Sequence, residues 1–310
     1  MNAALRDGSL SRRAFGGLLL ATTTAGVAGC VGGRPPESPS PHADGTGEPS
    51  VAPRSIVASG AEGGTPSALA ATAVPQHVAA VIDRYASEIP RDWGMRLPGV
   101  RSSLNTASAP DGRPRVALTF DACGGTAGSG FDQKLIGELI AQQVPAVLFL
   151  NSRWIEANSA LAEQLFAEPL FEIGNHGTRH RPLSVRGRSA YGIPGTASAA
   201  EAVDEVWSNH ERIRSLTGTA PRWFRPGTAH YDDVAVAIVH ELGETPLGFS
   251  VNGDGGATFP ARTVAREMGR ATGGDIVLAH MNQPGSGTAE GTTTAIAALR
   301  DRGVQFVHID

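Results

Sequence analysis

From residue 116 to its end, the sequence alternates short apolar runs with stretches that have the spacing of amphipathic helices. Runs that are apolar throughout are typical of strands buried on both faces, as in a parallel sheet covered by helices. Alternation of such strands with helices therefore predicts an α/β fold. The seven predicted strands are VALTF (116–120), AVLFL (146–150), FEIGN (171–175), WFR (223–225), LGFSV (247–251), DIVLAH (275–280) and VQFVHI (304–309).

The strand count favours one architecture among the parallel α/β folds. Seven strands within about 195 residues favour a small, distorted (β/α) barrel, and a doubly wound open sheet is the alternative. We predict that the barrel domain spans 114–310 and that an N-terminal helix with an irregular extension precedes it over 76–113. The helix is predicted over 76–89, where QHVAAVIDRYASEI places its apolar residues on one face.

Composition restricts the class of function. Hydrophobic residues make up 41% of the sequence, which is ordinary for a folded protein, and the net charge is −4. A nucleic-acid-binding domain needs a basic face, so no nucleic-acid partner is expected. The sequence gives no indication of oligomeric state.

The N-terminal residues indicate export and anchoring. The segment 11–15 (SRRAF) precedes an uncharged apolar stretch that is shorter than the roughly 20 residues of a membrane-spanning helix. We therefore predict a twin-arginine signal peptide over 1–30. The small residues before Cys30 resemble a lipobox, which predicts lipidation of Cys30 outside the cytoplasmic membrane or in the cell envelope. A plain signal with an incidental cysteine is the alternative.

Two consequences follow from this N-terminus. The chain has two cysteines, and lipidation of Cys30 would leave Cys123 without a disulfide partner. Residues 31–75 are rich in Pro, Ser, Gly and Ala and have few large apolar side chains, so they are predicted to form a flexible linker.

Polar side chains follow the carboxyl ends of several predicted strands. Because these ends meet at one edge of a parallel barrel or sheet, and functional sites are built there, we expect the side chains to lie near one another. The candidates are Asp121, His176, His180, Arg225, Asp254 and His280.

The histidine pair is the strongest indication of a metal site. In HGTRH, His176 and His180 lie in a predicted strand-to-helix loop, where one turn can direct both imidazoles at one ion. A loop with two surface histidines is the alternative. Asp121 beside a Gly-rich turn can face a pocket or form a turn, and His280 can act as a general acid or be a buried structural histidine.

Together the motifs LTFD, NHGTRH, FRPG and IVLAH, in this order, resemble those of the polysaccharide deacetylase (NodB-like) family. The resemblance covers roughly residues 114–310. The family's fold, a distorted seven-stranded (β/α) barrel, is the one that the strand count indicates independently.

The resemblance implies a role for each matching residue. Asp121 matches the catalytic base, Arg225 the arginine that orients it, His280 the catalytic acid, and Leu278 a residue that lines the pocket for the acetyl methyl group. His176 and His180 match the two metal-binding histidines. The implied cofactor is a divalent metal, zinc first, with cobalt or nickel as alternatives. Asp254 matches an acidic supporting residue less closely, because its surroundings (VNGDGGA) differ from the family's.

Two departures from the family pattern bear on the site. The second aspartate of the family's Thr-Phe-Asp-Asp motif, normally a metal ligand, is Ala122 here. Asp121, a water molecule or the Cys123 thiolate could replace it, and we favour the first two because Cys123 is two residues further along. The sequence RPGT (225–228) also stands where the family has a Pro-Tyr pair, so we expect a differently shaped loop there.

The activity implied by the resemblance is metal-dependent hydrolysis of N-acetyl groups on an acetylated polysaccharide, such as peptidoglycan or a chitin-like polymer. Hydrolysis of O-acetyl esters or of other non-peptide C–N bonds, such as those of small cyclic amides, is an alternative within the same superfamily. A pseudoenzyme that binds glycan is the non-enzymatic alternative, since Ala122 cannot bind metal.

Overall fold

The computed structural model describes residues 74–310. Eight of the ten strands in these residues form a curled parallel sheet, and the other two pair with each other in antiparallel orientation. The strands are β1 (Trp93–Gly94), β2 (Arg115–Ala122), β3 (Ala146–Leu150), β4 (Phe171–Asn175), β5 (Trp223–Phe224), β6 (Tyr231–Asp232), β7 (Thr245–Pro246), β8 (Val251–Asn252), β9 (Ile276–His280) and β10 (Gln305–Phe306). The helices are α1 (Gln76–Tyr85), α2 (Gln133–Ala141), α3 (Ser152–Ala157), α4 (Ser159–Phe166), α5 (Ala199–Thr217), α6 (Asp233–Glu241), α7 (Ala261–Met268) and α8 (Thr288–Asp301).

Seven strands follow one another around the curled sheet in the order β7-β5-β4-β3-β2-β9-β8, and every neighbouring pair is parallel. The short β10 adds to the start of β2, also in parallel. The end strands β7 and β8 have no sheet bonds to each other in residues 74–310, so the sheet is a half-barrel. The predicted α/β fold with a distorted seven-stranded barrel is confirmed.

One predicted strand, 247–251, was wrong. The structure has two short strands instead: β7 ends just before this segment, and β8 begins at its last residue, Val251. The backbone between them bonds to other partners. The Gly248 N–H donates to the Arg101 carbonyl (2.7 Å), and the Gly248 carbonyl accepts from the Arg225 side chain (3.0 Å). A sequence pattern cannot reveal these distant partners. The other predicted strands are present, although the last is limited to residues 305–306.

Alternation along β2 decides which of its side chains face the interior of the barrel. Val116, Leu118, Phe120 and Ala122 lie in the apolar core between the sheet and its helices. Because successive side chains on a strand point to opposite faces, Thr119 and Asp121 face the other way, into the barrel. Ala117 marks this inner face, since it packs in the interior cluster with Val147, Phe149, Trp223 and Ile276.

The N-terminal extension lies against the barrel domain. Val78 and Val81 of α1 are buried in a cluster with side chains of α5 and α6. The helix ends at Tyr85, four residues before the predicted end at 89, and Arg84 then pairs with Glu241 at 2.8 Å.

The predictions for residues 1–73, which cover the signal peptide, Cys30 and nearly all of the linker, lie outside the described residues. Among the helices of residues 74–310, none has both the length and the apolar character required to cross a membrane.

Candidate active site

A cavity of about 520 Å³ opens at the carboxyl edge of the half-barrel. Five of the residues singled out in the sequence line it: Asp121, Cys123, His180, Leu278 and His280. The other three are buried and contact these lining residues from behind: His176, Arg225 and Asp254. The structure therefore brings every predicted site residue of the barrel domain to one place.

Asp121 and Arg225 form a buried ion pair. Arg225 Nη1 donates to Asp121 Oδ1 at 2.7 Å and to Thr119 Oγ1 at 2.9 Å, and its guanidinium lies over the Phe149 ring. Burial opposes ionisation of the Asp121 carboxyl, but the charges of Arg225 and His176 outweigh it and hold the pKa of Asp121 below its usual value. Asp121 is therefore a carboxylate at neutral pH, and Oδ2 is the oxygen that Arg225 leaves free.

His176 is held so that one ring nitrogen faces the site. Its Nδ1 lies 2.7 Å from the Arg225 carbonyl and donates to it, so Nε2 is the ring nitrogen that is left to face the site. Nε2 lies 3.6 Å from Asp121 Oδ2 and 3.8 Å from Cys123 Sγ. The Asn151 amide fixes the backbone at this point by donating to the carbonyls of His176 and Gly177.

His180 lies across the site from His176, with the ring centroids 4.9 Å apart. Its backbone has φ of 60°, a left-handed conformation that costs energy for a residue with a Cβ and that clusters at functional sites. Gly227 makes this placement possible, because a Cβ at that position would collide with the His180 backbone.

Cys123 completes a set of three metal-ligand atoms. One atom each of Cys123, His176 and His180 lies within 4.8 Å of the others, and Asp121 is not part of that set. Two imidazoles and a thiolate are ligands that zinc favours, so the residues present fit a divalent metal. Burial raises the pKa of the Cys123 thiol, but contacts with His176, His180 and His280 lower it well below its usual value. Cys123 is in this set and Asp121 is not, whereas Asp121 or water was favoured over Cys123 from the sequence.

His280 is paired with Asp254. His280 Nδ1 lies 2.9 Å from Asp254 Oδ1, and the His280 backbone N–H donates to Asp254 Oδ2 at 2.7 Å. Thr288 holds the same carboxylate from the other side at 3.0 Å. Burial lowers the pKa of His280, but its bond to Asp254 raises it well above the usual value. His280 is thus kept protonated, as a proton donor must be.

The remaining wall of the cavity combines an apolar residue with a strained loop. Leu278 lines the cavity from β9, and Thr228 and Ala229 line it from the segment after Arg225. Both loop residues have positive φ, 70° and 56°, so the loop that departs from the family sequence is also unusual in backbone conformation. The Thr228 hydroxyl is buried without a hydrogen-bond partner.

Sequence reasoning missed two buried acids that support the histidine loop. Glu205 of α5 accepts hydrogen bonds from the backbone N–H groups of Arg179 and Arg181 within that loop. Glu244 accepts from Asn175 Nδ2 at 2.8 Å, and Asn175 Oδ1 in turn accepts from the Gly177 N–H. A signal existed for Glu205, because it lies among the apolar positions of α5 that face the core.

We expect the buried Glu244 carboxyl to make folding stability depend on pH. Burial raises the pKa of Glu244 to about 7 from 4.5, despite hydrogen bonds from His210 and Asn175. The folded protein therefore holds this proton more tightly than the unfolded chain, and the stability that it contributes below pH 4.5 is lost as pH rises through about 7.

Glu244→Gln removes this titration. Relative to wild type, the variant should gain stability between pH 5 and pH 8, by at most about 3 kcal/mol. Calorimetric melting at both pH values measures the gain, with Glu163→Gln on the exposed face of α4 as the control. An equal difference in melting temperature at both pH values would show that Glu244 does not titrate in this window.

Comparisons with known proteins add to this geometry. Residues 108–247 match the polysaccharide deacetylase family model. This region contains Asp121, His176, His180 and Arg225, and it ends before Asp254 and His280. The matched residues make up less than half of the chain.

Individual relatives are distant. The uncharacterized protein YlxY of Bacillus subtilis is 26% identical over 195 residues, which cover 63% of this chain. The match spans only 55% of the length of YlxY.

Two solved structures share the fold. A CE4 family pseudoenzyme from Bacillus anthracis has a TM-score of 0.54 and 23% identity, and the match covers 68% of each chain. A mutant of that pseudoenzyme is described as having restored enzymatic activity. A peptidoglycan N-acetylglucosamine deacetylase has a TM-score of 0.54 and 22% identity, covering 74% of this chain and 92% of its own.

Proposed function

We propose that this protein is a metal-dependent deacetylase that hydrolyses N-acetyl groups on an envelope or extracellular polysaccharide and releases acetate. Peptidoglycan and chitin-like polymers are the substrates that we favour. The observation that carries the proposal is the convergence of three groups on one cavity: the Asp121–Arg225 pair, the His176–His180 pair and the His280–Asp254 pair.

Each group of the site has a separate task in this reaction. A divalent metal held by His176 and His180 would supply Lewis-acid polarisation of the acetyl carbonyl. Asp121 Oδ2 accepts a proton from the attacking water, while Arg225 holds the other carboxylate oxygen and keeps the group ionised. Attack on the carbonyl carbon is followed by cleavage of the C–N bond. His280 donates its proton to the departing nitrogen, so that the products are a free amine and acetate.

One feature of the cavity and one comparison support an acetyl group on a polysaccharide as the substrate. Leu278 offers an apolar side chain to the acetyl methyl group, and it lies two residues before His280 on β9. The solved deacetylase that shares this fold acts, according to its description, on peptidoglycan N-acetylglucosamine.

The proposal is tested by acetate release from a panel of substrates, with zinc, cobalt or no metal added. The panel contains N-acetylated peptidoglycan, chitin oligomers, an O-acetylated glycan and small cyclic amides. We expect acetate from at least one N-acetylated glycan, and only with metal. Ring opening of cyclic amides without acetate release would instead support a hydrolase of other C–N bonds.

A glycan-binding pseudoenzyme is the second candidate, because Ala122 replaces the usual metal ligand and a solved structure with this fold is a pseudoenzyme. A module that only binds glycan has no need of a buried base, an arginine that orients it and a protonated histidine in one cavity. Glycan binding without any acetate release, in protein shown to contain metal, would favour this candidate.

We also propose that the protein is exported and anchored by a lipid on Cys30, which would place its catalytic domain near envelope glycans. The support is the twin-arginine segment and the lipobox-like residues before Cys30. A labelled fatty acid should be incorporated into the wild-type protein and not into Cys30→Ser. Absence of label from the wild type would contradict the anchor.

A further inference from the structure

We infer that the Cys123 thiolate is the third protein ligand of the metal and replaces the carboxylate that Ala122 lacks. This inference rests on the proposed function only for the presence of a metal. It concerns which atoms bind the ion: one cysteine and two histidines, in place of one aspartate and two histidines.

The direction of the β2 backbone explains why residue 123, and not residue 122, can reach the metal. The Ala122 side chain is fully buried in the apolar core between the sheet and the helices. In this chain the side chain of residue 122 therefore does not line the cavity. Residue 123 is two positions beyond Asp121, and residues i and i+2 on an extended chain face the same side. Cys123 and Asp121 both line the cavity, as this rule requires.

The distances fit one ion shared by the three residues. In a tetrahedral zinc site with Zn–S of about 2.3 Å and Zn–N of about 2.0 Å, sulfur and nitrogen lie about 3.5 Å apart. Cys123 Sγ and His176 Nε2 lie 3.8 Å apart. This distance is slightly longer than in the zinc site, and a small movement of one side chain would close the difference. Nε2 is the His176 ring nitrogen that faces Cys123, because Nδ1 donates to the Arg225 carbonyl.

Asp121 is the alternative ligand. Its Oδ1 accepts a short hydrogen bond from Arg225, and its Oδ2 lies 3.6 Å from His176 Nε2. The carboxylate is nevertheless not among the three groups whose ligand atoms lie within 4.8 Å of one another. The two roles are therefore divided between neighbouring residues of one strand end: Asp121 serves the proton transfer, and Cys123 binds the ion. A thiolate also makes the site more selective for zinc and cobalt over harder ions such as magnesium.

Cobalt substitution provides a readout that does not depend on activity. Thiolate bound to cobalt(II) gives a near-ultraviolet charge-transfer absorption that imidazole and carboxylate ligands do not give. We expect the purified wild-type protein, loaded with one equivalent of cobalt, to show this band. Cys123→Ser should lose the band and bind zinc at least about 100-fold more weakly. Residues that only contact a metal ligand usually cost at most about 100-fold in metal affinity when they are replaced.

The chain offers a matched control, because Cys30 and Cys123 are its two cysteines. Cys30→Ser should keep both the band and the zinc affinity. Cys123→Asp provides a second variant should Cys123→Ser fold poorly. It should bind zinc more tightly than Cys123→Ser and lack the band.

The outcomes separate this inference from the proposed function. An unchanged cobalt spectrum and zinc affinity in Cys123→Ser would overturn the ligand assignment, even if that variant lost activity, since the thiol would then act on the substrate. A wild-type protein with the band that releases no acetate from any glycan would support the assignment and contradict the deacetylase function.

Discussion

Asp121→Asn should reduce the rate of acetate release by about 10³-fold, within the range that general bases contribute, while the protein stays folded. Asn has the shape of Asp, and its carbonyl oxygen can still accept from Arg225, so the buried contact at 2.7 Å survives in a weaker form. What is lost is the ability to take a proton from water. Steady-state acetate release and circular dichroism measure the two effects.

Asp132→Asn is the matched control for this substitution. Asp132 is also buried, but it serves as the N-cap of α2, where Asp and Asn cap about equally well. It should retain activity near the wild-type level. If Asp121→Asn turned over acetylated glycan at the wild-type rate, Asp121 would not be the base.

Arg225→Lys should damage both stability and catalysis. The Arg225 guanidinium is fully buried and donates to Asp121, Thr119 and the Gly248 carbonyl at once. A lysine keeps the charge, but its single ammonium cannot reach all three acceptors with the same geometry. We expect a loss of about 3 kcal/mol in the free energy of unfolding, typical of disrupted buried pairs. Acetate release should fall by about 100-fold or more, because the base is no longer oriented.

The control is the same substitution three residues earlier. Arg222 is largely exposed and pairs with Glu172 at 2.8 Å on the surface. Arg222→Lys should change stability by less than about 1 kcal/mol, since exposed pairs contribute little. Denaturant unfolding compares the two variants. Equal stability of Arg225→Lys and wild type would show that the buried network is not needed to compensate the Asp121 charge.

The fold was predictable because its core strands are apolar on both faces. Strands such as β3 and β9, which are buried along nearly their whole length, appear in the sequence as continuous apolar runs with clear ends. The segment 247–251 has the same composition but a different structure. Its backbone bonds to Arg101 and to the Arg225 side chain, and such distant partners leave no periodic signal in the local sequence.

The candidate site was predictable for residues that directly follow strands, and less so for the residues that hold them in place. Asp254 carried only a weak resemblance, yet two hydrogen bonds join it to His280. Glu205 and Glu244 act from α5 and from the turn after α6, far from the histidine motif in sequence. From the sequence, Cys123 ranked below Asp121 as a metal ligand because its distance along the chain was weighed without the alternation of side chains along a strand. The ligand role that we propose for Cys123 depends on that alternation.

Acetate release that requires a metal ion bound in this cavity is the property that most directly distinguishes a deacetylase from a glycan-binding protein. The decisive measurement is acetate released per protein chain from N-acetylated glycan, by protein first stripped with a chelator and then given one equivalent of zinc, with metal content determined in parallel. We predict no release from stripped protein, recovery on addition of zinc, and no recovery in His176→Ala. Equal release by wild-type protein with and without bound metal would contradict the central claim.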